Sequence, residues 1–218
     1  RSAVGELTFT LNGQVARARP GTLLEACSAA GLEIPSLCHD PRLSPASLCR
    51  LCEVEVEGRE RNPCACATAL EAGMVVRTHT PDLEDFRRGM LEMLARHYPP
   101  DAVAAAPEQP LHTWLRRYGV TPSGSRDPAL ADTTHPYIHV DLSQCIDCRR
   151  CVRICDEVQG QFVWKAVGRG EKSRVVAEPG GTLLNSPCVS CGACVDTCPT
   201  GALSDAGLPG QGPPDAWT

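Results

Sequence analysis

The sequence predicts an α+β chain with two cysteine-bearing halves joined by a helical stretch. Three observations carry this reading. Residues 6–19 alternate apolar and polar on either side of Asn12-Gly13, the strongest short signal for a tight hairpin. The 14 cysteines fall in three groups instead of being scattered. Two of those groups share the spacing CxxCxxCxxxC: Cys145, Cys148, Cys151 and Cys155, then Cys188, Cys191, Cys194 and Cys198 followed by Pro199.

Each element has a local reason. After the hairpin, Thr22 reads as the N-cap of a helix over Leu23–Ala30, with Gly31 as its stop. Glu53–Glu57 alternates as a strand, and Met74–Thr78 reads as another. Two strands, a helix, a cysteine loop and further strands suggest a β-grasp, 2Fe–2S ferredoxin-like domain over residues 1–80. A helix is expected from Pro81 to Arg96, with Asp82, Glu84 and Asp85 at its positive end. Pro99–Pro110 is Pro/Ala-rich and reads as a linker, Leu111–Tyr118 as a short helix, and Thr121–Pro128 as a loop. Residues 81–134 are thus a helical linker region without a cluster. Both cysteine repeats lie in a second domain over 135–206, whose insert contains strand-like Gln161–Val167 and Arg174–Ala177. Residues 207–218 form a Gly/Pro-rich tail.

Composition narrows the classes. Of the 218 residues 42% are hydrophobic, yet Trp, Tyr and Phe number three each, so the core must be built from Val, Leu, Ile and Ala. A net charge of −5 argues against general nucleic-acid binding. No apolar run approaches the roughly 18 residues of a membrane span, and the opening Arg-Ser-Ala-Val is not an apolar signal segment. Cysteines at metal-like spacing, not disulfide-like, imply a reducing, cytoplasmic setting. The absence of Met at position 1 leaves the true N-terminus open.

The repeated spacing is a coordination pattern. Three thiolates in a tight loop hold three corners of a 4Fe–4S cube, and the fourth, on the following helical turn, reaches the neighbouring cube. Crossed ligation places Cys145, Cys148, Cys151 and Cys198 on one cluster, and Cys188, Cys191, Cys194 and Cys155 on the other. Two zinc ions are the alternative, but the spacing crowds three thiolates more than separated zinc knuckles do. Cys155 precedes Asp156 where Cys198 precedes Pro199, so the two turns are expected to differ. The N-terminal group, Cys38, Cys49 and Cys52 with either Cys64 or Cys66, has the four thiols that a 2Fe–2S cluster requires, and zinc is again the rival.

Other residues have two readings each. Arg149, Arg150 and Arg50 either bias a cluster toward its reduced form or are solvated surface charges. Gly192 and Ala193 allow backbone N–H groups close to sulfide. Cys27 reads as a buried small hydrophobe, and His39, beside Cys38, either as a hydrogen-bonding group near the cluster or as a surface histidine. No GxGxxG, phosphate loop or Ser–His–acid set is present, and no substrate-transforming site is expected.

The cysteine stretches also resemble a known family. Ile34–His39 (IPSLCH) with Cys49–Val56 (CRLCEVEV), Cys155–Gly160 (CDEVQG), Ser190–Cys194 (SCGAC) and Cys198–Leu203 (CPTGAL) resemble the N-terminal iron–sulfur module of the large iron–sulfur subunit of complex I. That module also opens NAD-linked formate dehydrogenase α subunits and iron-only hydrogenases. The resemblance implies one 2Fe–2S and two 4Fe–4S clusters, and it selects Cys66 over Cys64 through Ala65-Cys66-Ala67-Thr68 followed by Gly73-Met74-Val75-Val76. There is one large departure. The family's additional cluster, held by one His and three Cys, has no counterpart, because His97 is present but no cysteine lies between residues 67 and 144. His97 is then a remnant or a structural residue.

The expected function is an electron-transfer subunit. It would relay single electrons between a flavin-bearing NAD(H) partner and a catalytic partner of molybdenum, tungsten or hydrogenase type. Nucleic acid and a direct membrane span are excluded from the expected partners. Two alternatives stand beside it. One is the N-terminal part of a formate dehydrogenase catalytic chain, since no molybdopterin domain precedes Thr218. The other is a zinc-binding structural or redox-sensing module.

Overall fold

The computed structural model describes residues 5–179 and 181–207. The tail read over 207–218 lies, beyond Gly207, outside the described residues. The chain divides into two units. One holds the chain up to His39 together with Pro45–Met93; the other holds Asp40–Ser44 and the chain from Leu94 onward.

The first unit is a mixed sheet with a helix laid across it. Strands β1 (Leu7–Leu11) and β2 (Gln14–Ala18) form the expected antiparallel hairpin. Asn12 and Gly13 both take positive φ, 51° and 82°, as its two-residue turn requires. Helix α1 (Leu23–Ala29) starts at a capping box: Thr22 Oγ1 accepts from the Glu25 amide at 3.2 Å, and the Glu25 carboxylate accepts from the Thr22 amide at 2.7 Å. Strands β3 (Glu55–Val56) and β4 (Val75–Arg77) complete the order β2-β1-β4-β3, parallel only between β1 and β4. Phe9, Leu11, Leu23, Ala26, Cys27, Val54 and Val76 are buried together. Each such Phe or Leu contributes about 1.5–3 kcal/mol on leaving water.

The strand expected over Glu53–Glu57 is shorter than its alternation suggests. Glu53 bridges to Cys64, and the Val54 amide donates to the Pro63 carbonyl at 3.1 Å. That backbone is committed to the cysteine loop before it reaches the sheet. Helix α2 (Pro81–Ala95) follows.

The stretch Pro99–Pro110 is not an extended linker. It contains helix α3 (Pro100–Ala105), with Pro100 at the first helical position and alanines behind it. Proline is tolerated there because its missing N–H would be unpaired anyway, and alanine has the highest helix propensity. Helix α4 (Pro110–Tyr118) ends on Gly119 in the left-handed conformation. The turn after it packs tightly: a Cβ on Gly124 would lie 2.2 Å from the His97 carbonyl carbon.

The rest of the second unit comprises β5 (Ala131–Asp132), β6 (Ile138–Asp141), α5 (Arg150–Arg153), β7 (Trp164–Val167), β8 (Arg174–Ala177), α6 (Ala193–Thr197) and β9 (Leu203–Asp205). The sheets are β5-β6-β9 and the hairpin β7-β8, all antiparallel. Strand β7 begins three residues later than the expected Gln161 because Phe162 has φ 55°, which breaks the extended run. After α5 the chain widens into a π-turn over Ile154–Val158, whereas α6 stops at Cys198 before Pro199. Asp156 carries an N–H that can continue a helix and Pro199 does not.

Arg87 of α2 is fully buried in the first unit. Its guanidinium donates to the Leu51 carbonyl at 3.1 Å and the Glu53 carbonyl at 2.9 Å, and pairs with Glu84 at 2.8 Å. It thereby fixes the backbone on both sides of Cys52. Replacing it by methionine (R87M) leaves two carbonyls without donors. The expected loss is about 3 kcal/mol of stability, measurable by chemical denaturation.

Candidate metal centres

In the first unit Cys38, Cys52 and Cys66 are buried, while Cys49 and Cys64 are half-buried. The thiols meet as one pair and one group of three. Cys49 interacts with Cys38, whose sulfur also accepts the Cys49 amide at 3.4 Å. Cys52 is hydrogen-bonded to Cys64 and Cys66. Contact with Cys38, then burial, pushes the Cys49 thiol up; the hydrogen bond from Cys52 brings Cys66 down to about 7. Arg50 takes φ 55° in the turn and spends its charge on Glu53 at 2.5 Å and on the face of Phe86, 5.9 Å away. It is thus a paired, 57% exposed side chain. His39 is half-buried, not superficial, and its Nδ1 is buried without a protein partner.

The second unit brings the two repeats together in crossed sets. One cavity is lined by Cys145, Cys148, Cys151 and Cys198. A second is lined by Cys155, Cys188, Cys191 and Cys194. Their remaining walls are largely apolar, and Trp164 lines both. The loops share one backbone device. Asp147 and Ser190 have φ 51° and 57°, Arg149 and Gly192 have φ 58° and 72°, at matching places in the repeats. This conformation turns amides inward: Asp147 N–H donates to Cys145 Sγ and Ser190 N–H to Cys188 Sγ, each at 3.4 Å. Val163 N–H does the same for Cys155 at 3.4 Å. Burial raises the thiols, Cys145 to about 11 and Cys148 and Cys194 to about 12. Iron must therefore displace their protons on binding.

The chemistry of these sites fits iron–sulfur clusters. Thiolates are the ligands such clusters take, N–H donors to sulfur are what tunes them, and apolar walls exclude water. In the second unit the eight sulfurs stand around two cavities.

Several residues that support these sites carry no spacing signal. Asp40, buried, accepts from the Arg42 guanidinium at 2.8 and 2.9 Å, from Arg150 at 3.1 Å and from Thr197 Oγ1 at 2.8 Å. Arg150 also donates to Thr197 at 2.9 Å. It is therefore a neutralised structural cation, not a free charge. Arg149 is tied to Asp147 at 3.3 Å. His135 Nδ1 accepts the Tyr137 and Ile138 amides, which leaves Nε2 to donate to Ser190 Oγ at 3.1 Å. Buried Tyr98 bonds the Thr200 carbonyl at 3.0 Å and His112 Nε2 at 2.6 Å. His97 is exposed. Cys27 is buried in the apolar core, as expected. A polar residue near a ligand in sequence is the one available hint for Asp40 and Thr197; nothing marks Tyr98 or Trp164.

Comparison with known proteins gives the context. Residues 5–81 match the 2Fe-2S iron-sulfur cluster binding domain, and residues 135–204 match the ferredoxin-like domain of NADH-quinone oxidoreductase subunit 3. A chain in the crystal structure of an NAD+-reducing [NiFe]-hydrogenase in the H2-reduced state superposes with a TM-score of 0.75 at 30% identity, covering 91% of this chain and 87% of that one. The chain belongs to the family of iron–sulfur subunits shared by complex I and NAD(P)-reducing hydrogenases. Among its relatives are an NADH-quinone oxidoreductase subunit of Rhizobium meliloti, 40% identical over 84% of this chain, and the NADP-reducing hydrogenase subunit HndD of Solidesulfovibrio fructosivorans, 36% identical over 90%. The chain spans 22% and 36% of the length of those two family members. Among the described residues no helix is long and apolar enough to cross a membrane.

The Asp40 hub gives a pH-dependent prediction. The Arg42 guanidinium holds its carboxyl well below the usual range. Its contribution is therefore present above the unfolded carboxylate value, about 4, and is lost as pH falls through the lower folded value. D40N should cost about 3 kcal/mol near neutral pH. The gap in melting temperature from the parent protein should narrow steadily once the pH drops below about 4.

Proposed function

We propose that this chain is an electron relay carrying three clusters. A 2Fe–2S cluster would sit on Cys38, Cys49, Cys52 and Cys66. One 4Fe–4S cluster would sit on Cys145, Cys148, Cys151 and Cys198, and another on Cys188, Cys191, Cys194 and Cys155. The observation that carries the reading is the division of eight thiols between two cavities, each taking three from one repeat and one from the other. The contact of Cys38 with Cys49 and the grouping of Cys52 with Cys64 and Cys66 place thiols enough for the first assignment in one loop region.

Bound clusters supply one-electron exchange; the chain itself holds, dries and tunes them. Cys191 is the exposed thiol of its cavity, and Val189 beside it is 57% exposed. This makes the second cavity the side at which a partner could exchange electrons. By likeness to its relatives, one partner binds flavin and NAD(H), and the other is a catalytic subunit of hydrogenase or related type. The setting is cytoplasmic, where thiols stay reduced.

A second reading rests on length. Because the chain spans 22% and 36% of two relatives, it fits equally the opening part of a longer catalytic chain. The coding frame beyond Thr218 separates the two: a stop codon selects the separate subunit.

Anaerobically purified protein should contain about ten irons, the sum for one 2Fe–2S and two 4Fe–4S clusters, with no stoichiometric zinc. Reduction should give separate 2Fe–2S and 4Fe–4S EPR signals; zinc without iron overturns the reading. Trp164, 2% exposed, donates its indole N–H to Cys194. A donor to a ligand sulfur favours the more negative, reduced state. W164F should therefore lower the midpoint of the Cys188/191/194/155 cluster by roughly 40 mV, the one-electron equivalent of about 1 kcal/mol.

A further inference from the structure

The first centre has five thiols where four are required. Cys64 lies outside the proposed ligand set but is not remote from it. It and Cys66 flank Ala65 at the start of a tight turn over Ala65–Ala67. Both sulfurs reach Cys52 and both reach Ser47, whose Oγ lies 3.8 Å from Cys66 Sγ. The backbone around Cys64 is pinned. Its carbonyl accepts from Thr68 Oγ1 at 2.9 Å, it bridges to Glu53, and the next amide, that of Ala65, donates to the Cys52 carbonyl at 2.9 Å. Cys27 is a further buried thiol of the same unit, on helix α1 instead of in the cysteine loop. Cys64 is thus held, half-buried, against the same partner as the proposed ligand Cys66.

We infer that Cys64 is a reserve ligand, able to replace Cys66 on the iron held by Cys52. This rests on the 2Fe–2S assignment above. The exchange is a substitution without electron transfer. The Cys64 S–H bond breaks and its proton goes to solvent, and a new iron–sulfur bond forms. The Cys66–iron bond breaks and that thiolate takes up a proton. Iron oxidation states and total charge are unchanged. Little movement is needed, because the two sulfurs already share their neighbours. The consequence is retention: a cluster that loses its bond to Cys66 is recaptured before it dissolves.

The test uses the full chain with all clusters loaded anaerobically. C66A should keep a reducible 2Fe–2S signal with altered g values and two irons at that site, and C64A/C66A should lose both. If C66A loses the 2Fe–2S signal as completely as the double variant while the 4Fe–4S signals persist, the inference is wrong. Should C66A fail to fold, shown by loss of the 4Fe–4S signals too, the decision passes to C64A and the parent protein under an iron chelator. C64A should then release its 2Fe–2S iron at least threefold faster, and equal rates overturn the inference. A parent protein without any 2Fe–2S signal defeats the underlying assignment instead, so the two failures are distinct.

Discussion

Everything in the second unit depends on one exchange: each cysteine repeat must deliver its last thiol to the other repeat's cavity. Cys155 and Cys198 do this from the ends of α5 and α6, so these two short helices must stay packed in one register. A four-residue and a five-residue helix have almost no stability of their own. The buried Asp40 carboxylate supplies the tie, holding Arg150 on one helix and Thr197 on the other. An ion pair of this kind adds modest net stability but punishes any arrangement that leaves one charge alone. It therefore specifies geometry more than it adds energy.

The first unit meets the same problem differently. Its cysteine loop has little regular structure, and the hydrogen bonds that would belong to a strand are taken by a fully buried arginine. In both units a guanidinium stands behind the thiols, bonded to backbone or carboxylate, and in the second unit the remaining cavity walls are largely apolar. Most of the sulfurs are thereby shielded from water, with Cys191 the exposed one. The protein achieves this with very few aromatic residues, and one of them, Trp164, serves both cavities.

What could be read from the sequence was local. The hairpin turn, the capping box of Thr22 and the cysteine spacing are each determined within a few residues, and so α1 and the first two strands lie where their patterns place them. Glu53–Glu57 misled because alternation cannot tell whether a backbone will pair with a sheet or with a loop such as Pro63–Cys64. Pro99–Pro110 misled because proline and alanine read as linker when averaged, yet a proline in first position followed by alanines is a helix start. The supporting residues were illegible for a different reason. Asp40 meets Thr197 across 157 positions, and Tyr98 meets Thr200 across 102. No spacing rule reaches that far.

The placement of Asp40–Ser44 has a consequence for how this chain can be divided or recombined. These five residues are counted with the second unit although the chain returns afterwards to the first. The halves are therefore interleaved in sequence, not laid end to end. A gene cut at residue 94 would leave Asp40 on the wrong fragment, with Arg150 stranded among buried groups. Exchange of the ferredoxin-like half between proteins is thus penalised unless the donor segment near residue 40 travels with it.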